Sequence, residues 1–193
     1  MISGRGPEAS SSPQGLRSAG TVGRVTERCD GCGFEWDAID RAEVAPGVVR
    51  CTSAIAQRLR TVGASAAVRT EGLGWSALEY AAHVRDVLLN VRDRIIQTLI
   101  EDDPQYAMIW RDERVDRGLY AGDAVDEVAD EVAIAGRLFA RTFDRIDPDL
   151  LTRTGVYAFP EPRPRTVLWI AAQALHECEH HLADIDERIV GPR

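Results

Sequence analysis

Four stretches of the chain repeat apolar side chains at alternating three- and four-residue spacing, the period of a helix with one buried face. The first runs through Val48, Cys51, Ile55, Leu59 and Val62. The second carries Ala81, Val84, Leu88, Val91 and Ile95. Its start is the best marked, because Ser76 and Glu79 form a capping box and Trp75 is placed to staple onto Tyr80. The third follows Gly122 with Asp123 as its cap, and runs through Val125, Val128, Val132, Ala135, Phe139 and Ile146 until Asp147-Pro148 stops it. The fourth starts at Thr166 and carries Leu168, Ala171, Leu175, Cys178, Leu182, Ile185 and Ile189. Helices of this kind bury their stripes against one another, so the fold expected is all-α, a four-helix bundle.

The connections differ. Residues 70 to 75 make a short link, whereas 102 to 122 and 147 to 165 are long enough for a crossover between parallel neighbours. The last is stiffened by Pro160, Pro162 and Pro164 and carries aromatics, which suits a cleft wall. Residues 46 to 193 form the bundle domain, residues 25 to 45 an arm containing a Cys-x-x-Cys turn, and residues 1 to 24 a tail. The tail clusters Ser, Gly and Pro with few apolar side chains, so disorder is expected there.

Composition narrows the function classes. A length of 193 residues supports one core. The net charge of −8 argues against binding nucleic acid or an anionic membrane surface. No run approaches the ~18 apolar residues of a membrane span, and no apolar signal core opens the chain, so a cytoplasmic location is expected. Every basic residue is arginine, a bias that fits a GC-rich bacterial genome. In a reducing compartment the four cysteines are not expected to form structural disulfides. Cys51 and Cys178 fall on the apolar seams and read as core residues. Cys29-Asp-Gly-Cys32-Gly33 has the form of one zinc knuckle without its second half. A second metal, a reversible dithiol, or a tight turn pinned by Phe34 and Trp36 all remain open for it.

The densest chemistry is His176-Glu-Cys-Glu-His180-His181, which holds three of the four histidines. At ~100° per residue, His176 and His180 lie ~40° apart and one turn up from each other, so both reach one metal. They share a strip with Trp169, Ala172 and Ala183, where small residues admit another helix. His181 points ~100° or more away from their midpoint and is expected to face solvent or a loop. His83, one turn after Glu79 on the second helix, alone reads as a boundary histidine; beside the pair it becomes a third ligand. Three imidazoles from two helices suit Zn²⁺, Ni²⁺ or Fe²⁺ and leave positions for water or substrate. His176 to His180 also matches His-Glu-x-x-His, the zinc-peptidase signature with Glu177 as base. Against that reading, Ala183 stands where a glycine is expected, and no further histidine follows His181.

Trp-Ser-x-x-Glu-Tyr-x-x-His-Val-Arg-Asp over Trp75 to Asp86, together with His-Glu-x-x-His-His-Leu-x-Asp-Ile over His176 to Ile185, resembles the DinB-like superfamily across about residues 46 to 190. The resemblance implies an up-down-down-up bundle whose metal is held by one side chain of the second helix and two of the fourth, four residues apart. Carried onto this sequence these are His83, His176 and His180. Relatives include thiol-dependent S-transferases and the mycothiol-dependent maleylpyruvate isomerase. The expectation is therefore a metal-dependent thiol S-transferase or isomerase that joins a low-molecular-weight thiol, mycothiol being suggested by the composition, to a small electrophile. Zinc is the first choice of metal, Glu177 the candidate catalytic residue, and Arg85, Arg163 and Arg165 the candidates for binding substrate. The alternatives are a metal-dependent hydrolase and a non-catalytic, metal-stabilised stress or scaffold protein; a homodimer is compatible with each.

Overall fold

The computed structural model describes residues 27–72, 74–158 and 161–190; the tail expected over residues 1–24, and Pro160, lie outside them. Four long helices build the bundle: α1 (Arg41–Val62), α2 (Ala77–Ile100), α4 (Val125–Phe143) and α5 (Val167–Val190). A short α3 (Arg111–Asp116) lies in the long connection after α2, and two strands, β1 (Thr154–Tyr157) and β2 (Arg163–Thr166), lie in the one before α5. Ser76 and Glu79 cap α2 reciprocally, as the sequence predicts. Helix α1 starts earlier than its apolar seam, because Asp40 and Glu43 form a capping box of their own. Pro46 therefore lies inside the helix, where its missing N–H forfeits one bond in the second turn.

Cross-helix pairs fix the directions. Arg58, late in α1, binds Asp186, late in α5, at 2.6 Å, so these helices run parallel. Arg60 at the end of α1 pairs with Asp130 near the start of α4, an antiparallel arrangement. Arg92, late in α2, donates to Thr142, late in α4, at 3.0 Å. Arg188 near the end of α5 reaches the Trp75 carbonyl at 3.3 Å and the Tyr80 hydroxyl at 3.2 Å, at the start of α2. The order is thus up, down, down, up, and α1 and α2 sit diagonally, each packed between α4 and α5.

Ile55, Leu59, Leu88, Ile95, Phe139, Phe143, Ile170 and Ile185 fill the centre. Each fully buried side chain of this size contributes ~1.5–3 kcal/mol. Helices α1 and α4 approach closely at Gly136, where a Cβ would lie 2.2 Å from Thr52 Oγ1. Cys51 and Cys178 are buried in this core, and burial pushes the Cys51 thiol up to about 11 and that of Cys178 well above the ordinary value. Both are packing residues, as their seam positions predict.

The two long connections are tied to α2 and to each other. Tyr120 donates to Asp86 of α2 at 2.9 Å, and Arg114 pairs with the same carboxylate. Strands β1 and β2 form an antiparallel hairpin, and Gln105 bridges to Val156 alongside it. The helical period of the seams carried no sign of this hairpin, whose strands are only four residues each. The arm folds back as a small loop closed by a bridge between Arg28 and Glu35, and Glu27 joins it to β2 through Arg163 at 3.0 Å and Arg165 at 2.6 Å.

Candidate metal centre

Two adjacent strips of α5 carry the chemistry, one with His176 and His180, the other with Glu177 and His181. Which strip faces α2 is decided by how the helices pack, and it is the second. His83, only 1% exposed, is seated by the capped start of α2 and by the edge of Trp75 at 5.5 Å. Its Nε2 lies 3.3 Å from Glu177 Oε2, and His181 Nε2 lies 3.2 Å from the same oxygen. One ligand atom from each of His83, Glu177 and His181 falls within 4.8 Å of the others.

The residues behind these three hold them in register. His181 Nδ1 lies 2.8 Å from Asp184 Oδ2, which leaves Nε2 to face the cluster. Gln173 donates to Glu177 Oε1 at 2.7 Å, and Trp36 of the arm donates to Gln173 Oε1, also at 2.7 Å. Burial works to raise the Glu177 carboxyl, but His181 and His83 hold it well below the usual range. Burial likewise opposes charge on His181, yet Asp184 and Glu177 hold its pKa up to about 9. Burial depresses His83 in spite of Glu177 beside it. Two imidazoles and a carboxylate, buried and backed by a second carboxylate, make a donor set that suits a divalent cation and leaves coordination positions free.

Of the three residues carried over from the resemblance, the structure brings His83 together with Glu177 and His181, while His176 and His180 turn toward the arm and come together with Cys29 and Cys32. The cause is a single step of ~100° around α5: both pairs have the same four-residue spacing, and only the packed helix tells them apart. Glu177, read as a candidate base, and His181, read as a bystander, both lie against His83 or against each other. His181 with Asp184 three residues on, and Gln173 four before Glu177, were the available signals for this strip.

The arginine candidates are engaged elsewhere. Arg85 pairs with Asp86 at 2.9 Å, Asp123 at 3.7 Å and Glu131, and its guanidinium lies 5.7 Å from the Tyr120 ring. Arg163 and Arg165 hold Glu27, and Arg165 lies 3.9 Å over the Trp169 ring. None of the three lines the cavity above the cluster, which has a volume of about 440 Å³. Its walls are Val87, Asn90 and Val91 of α2, Met108, Ile109 and Trp110 of the connection, and Tyr157 and Trp169, with Arg94 as a lining cation. Asn90 Oδ1 and Trp169 Nε1 are buried there without a hydrogen-bond partner in the protein, an acceptor and a donor that a ligand would satisfy.

Comparison with known proteins agrees with this architecture. In structure the chain is similar to YfiT from Bacillus subtilis, described as a probable metal-dependent hydrolase with an unusual four-helix bundle topology. The TM-score is 0.61 at 13% identity, over 79% of this chain and 89% of that one, a likeness of fold. No curated protein matches the chain in sequence. The model of the DinB superfamily matches residues 48–185, which take in α2, α4 and every histidine. With that match spanning most of the sequence and an up-down-down-up bundle beneath it, the chain belongs to the DinB superfamily.

Proposed function

We propose that this protein is a metal-dependent thiol S-transferase or isomerase, with His83, Glu177 and His181 holding a divalent cation, zinc in the first instance and Ni²⁺ or Fe²⁺ as alternatives. The observation that carries the reading is the convergence of these three side chains, from two helices, on one wall of the cavity. When bound, the cation supplies the positive charge that stabilises a thiolate nucleophile at neutral pH.

The protein's own residues do the rest. Gln173 orients Glu177, and Asp184 fixes the His181 ring. Asn90 and Trp169 offer an acceptor and a donor for orienting substrate, and Val87, Val91, Met108 and Ile109 give the space beside it apolar walls. Arg94 takes the role first given to the surface arginines, favouring an anionic group on the thiol or the electrophile. Glu177 is clasped by His83, His181 and Gln173, so the carboxylate nearest the centre is poorly placed to act as a base on water. A thiol gives up its proton from a pKa of ~8.5 and needs less help than water at ~15.7. This favours a thiol, and the composition favours mycothiol.

The test is to incubate the metal-replete protein with a panel of thiols and a chloro-dinitroaromatic or bimane electrophile. The expected result is conjugation that His83→Ala abolishes. Absence of conjugation above that variant with every thiol would sink the reading. Metal-assisted hydrolysis is the second reading, supported by the description of the Bacillus protein. Ester or amide cleavage without added thiol, lost in His83→Ala, would select it.

A further inference from the structure

We propose that Cys29, Cys32, His176 and His180 form a second metal site, a tetrahedral zinc centre that clasps the arm onto α5. One ligand atom from each of the four falls within 4.8 Å of all the others. The cysteines come from the arm, 151 residues before the histidine that Cys29 faces. Zinc bound at ~2.3 Å by sulfur and ~2.0–2.1 Å by nitrogen gives S···N edges of about 3.6 Å in a tetrahedron. Cys29 Sγ and His180 Nδ1 are 3.7 Å apart. Two thiolates and two imidazoles close all four positions, the pattern of a structural site, unlike the open set around His83.

Independent observations point to the same ligand. Both ring nitrogens of His176 are buried with no hydrogen-bond partner, on a residue only 8% exposed. A polar ring held dry in this way is costly, and neither a dithiol nor a plain turn in the arm accounts for it. Trp36 and Phe34 hold that ring from the arm side, with centroids at 4.6 and 5.2 Å. The turn is built for close approach: a Cβ on Gly31 would lie 2.9 Å from His180 Cε1, and Gly33 has φ +77°. Cys29 N–H donates to Phe34 O and Gly33 N–H to Cys29 O, each at 2.8 Å, which closes the knuckle. His180 Nε2 faces Asp184 Oδ2 at 3.8 Å, so the carboxylate behind His181 stands behind this ligand too.

Binding releases the two thiol protons and joins the arm to the first centre, because Trp36 of the same arm holds Gln173 and through it Glu177. The experiment is a Co²⁺ titration of the full chain, read by absorption and by metal count. The expected result is two ions per chain, with a thiolate-to-cobalt charge-transfer band in the near ultraviolet and strong tetrahedral bands in the visible. His176→Asn/His180→Asn and the single Cys32→Ser, at an exposed position that leaves the core intact, should each remove those bands and one ion. His83→Ala should keep the bands while losing the other ion, so the first centre, which has no sulfur ligand, is scored separately. The proposal is overturned by a wild-type protein without charge-transfer bands, or by bands that persist unchanged in His176→Asn/His180→Asn.

Discussion

Glu177 is the residue on which the site turns. It accepts from Gln173, faces His83 and His181, and sits beside His176 and His180 on the neighbouring strip. Asp184 does for the histidines what Gln173 does for Glu177. Asp184→Asn should therefore lower metal affinity by about 10–100-fold while the helix content stays unchanged, as measured by chelator competition and circular dichroism. A loss no larger than that of an exposed control such as Asp126→Asn would show that Asp184 does not support the centre. At this scale the sequence was partly legible. The four-residue spacing and the packing role of Cys51 and Cys178 follow from periodicity, whereas His83 was singled out only by its company with the α5 histidines and by the family resemblance. The choice between His176/His180 and Glu177/His181 does not, since the two pairs share a spacing and differ by one step of the helix. Likewise Arg85 looked available on its helix, but Asp86 beside it, Asp123 just before α4 and Glu131 on α4 claim it in the fold.

The elements set the geometry through their ends and their closest approaches. The capping box of α2 begins that helix about two turns before His83, so Ser76→Ala should cost about 1 kcal/mol in a urea melt. It should also weaken metal binding, whereas an unchanged affinity would detach the cap from the site. Gly136 lets α4 meet α1, and its substitution by alanine would press a Cβ to 2.2 Å from Thr52 Oγ1. A destabilisation of about 1–3 kcal/mol is expected for Gly136→Ala, with metal stoichiometry unchanged because no α4 residue is in either proposed site. The four helices were legible because each keeps its stripe over many turns. The early start of α1 was masked by Pro46, and the hairpin before α5 by its short strands and by Pro162 and Pro164, which read as a stiff loop.

For the whole molecule, the arm, the connection after α2 and the hairpin gather along the side of the bundle formed by α2 and α5 and wall a cavity over the cluster. Removing metal should loosen that side. A centre filled at about 100 times its Kd adds ~2.7 kcal/mol to folding, so chelator should lower the melting temperature and added zinc restore it. A melting temperature indifferent to chelator would mean that metal does not support the fold. The assembly of arm on bundle was the least legible part of the chain, because it depends on contacts between residues far apart in sequence: Trp36 with Gln173, Glu27 with Arg165, Cys29 with His180.

The position of the metal itself tests the account most directly. Crystals of the metal-loaded protein, measured on either side of the metal's absorption edge, should show an anomalous peak between His83 Nε2, Glu177 Oε2 and His181 Nε2, at ~2.0–2.2 Å from each. A peak shared instead by His83, His176 and His180, or no peak within bonding distance of Glu177, would contradict it.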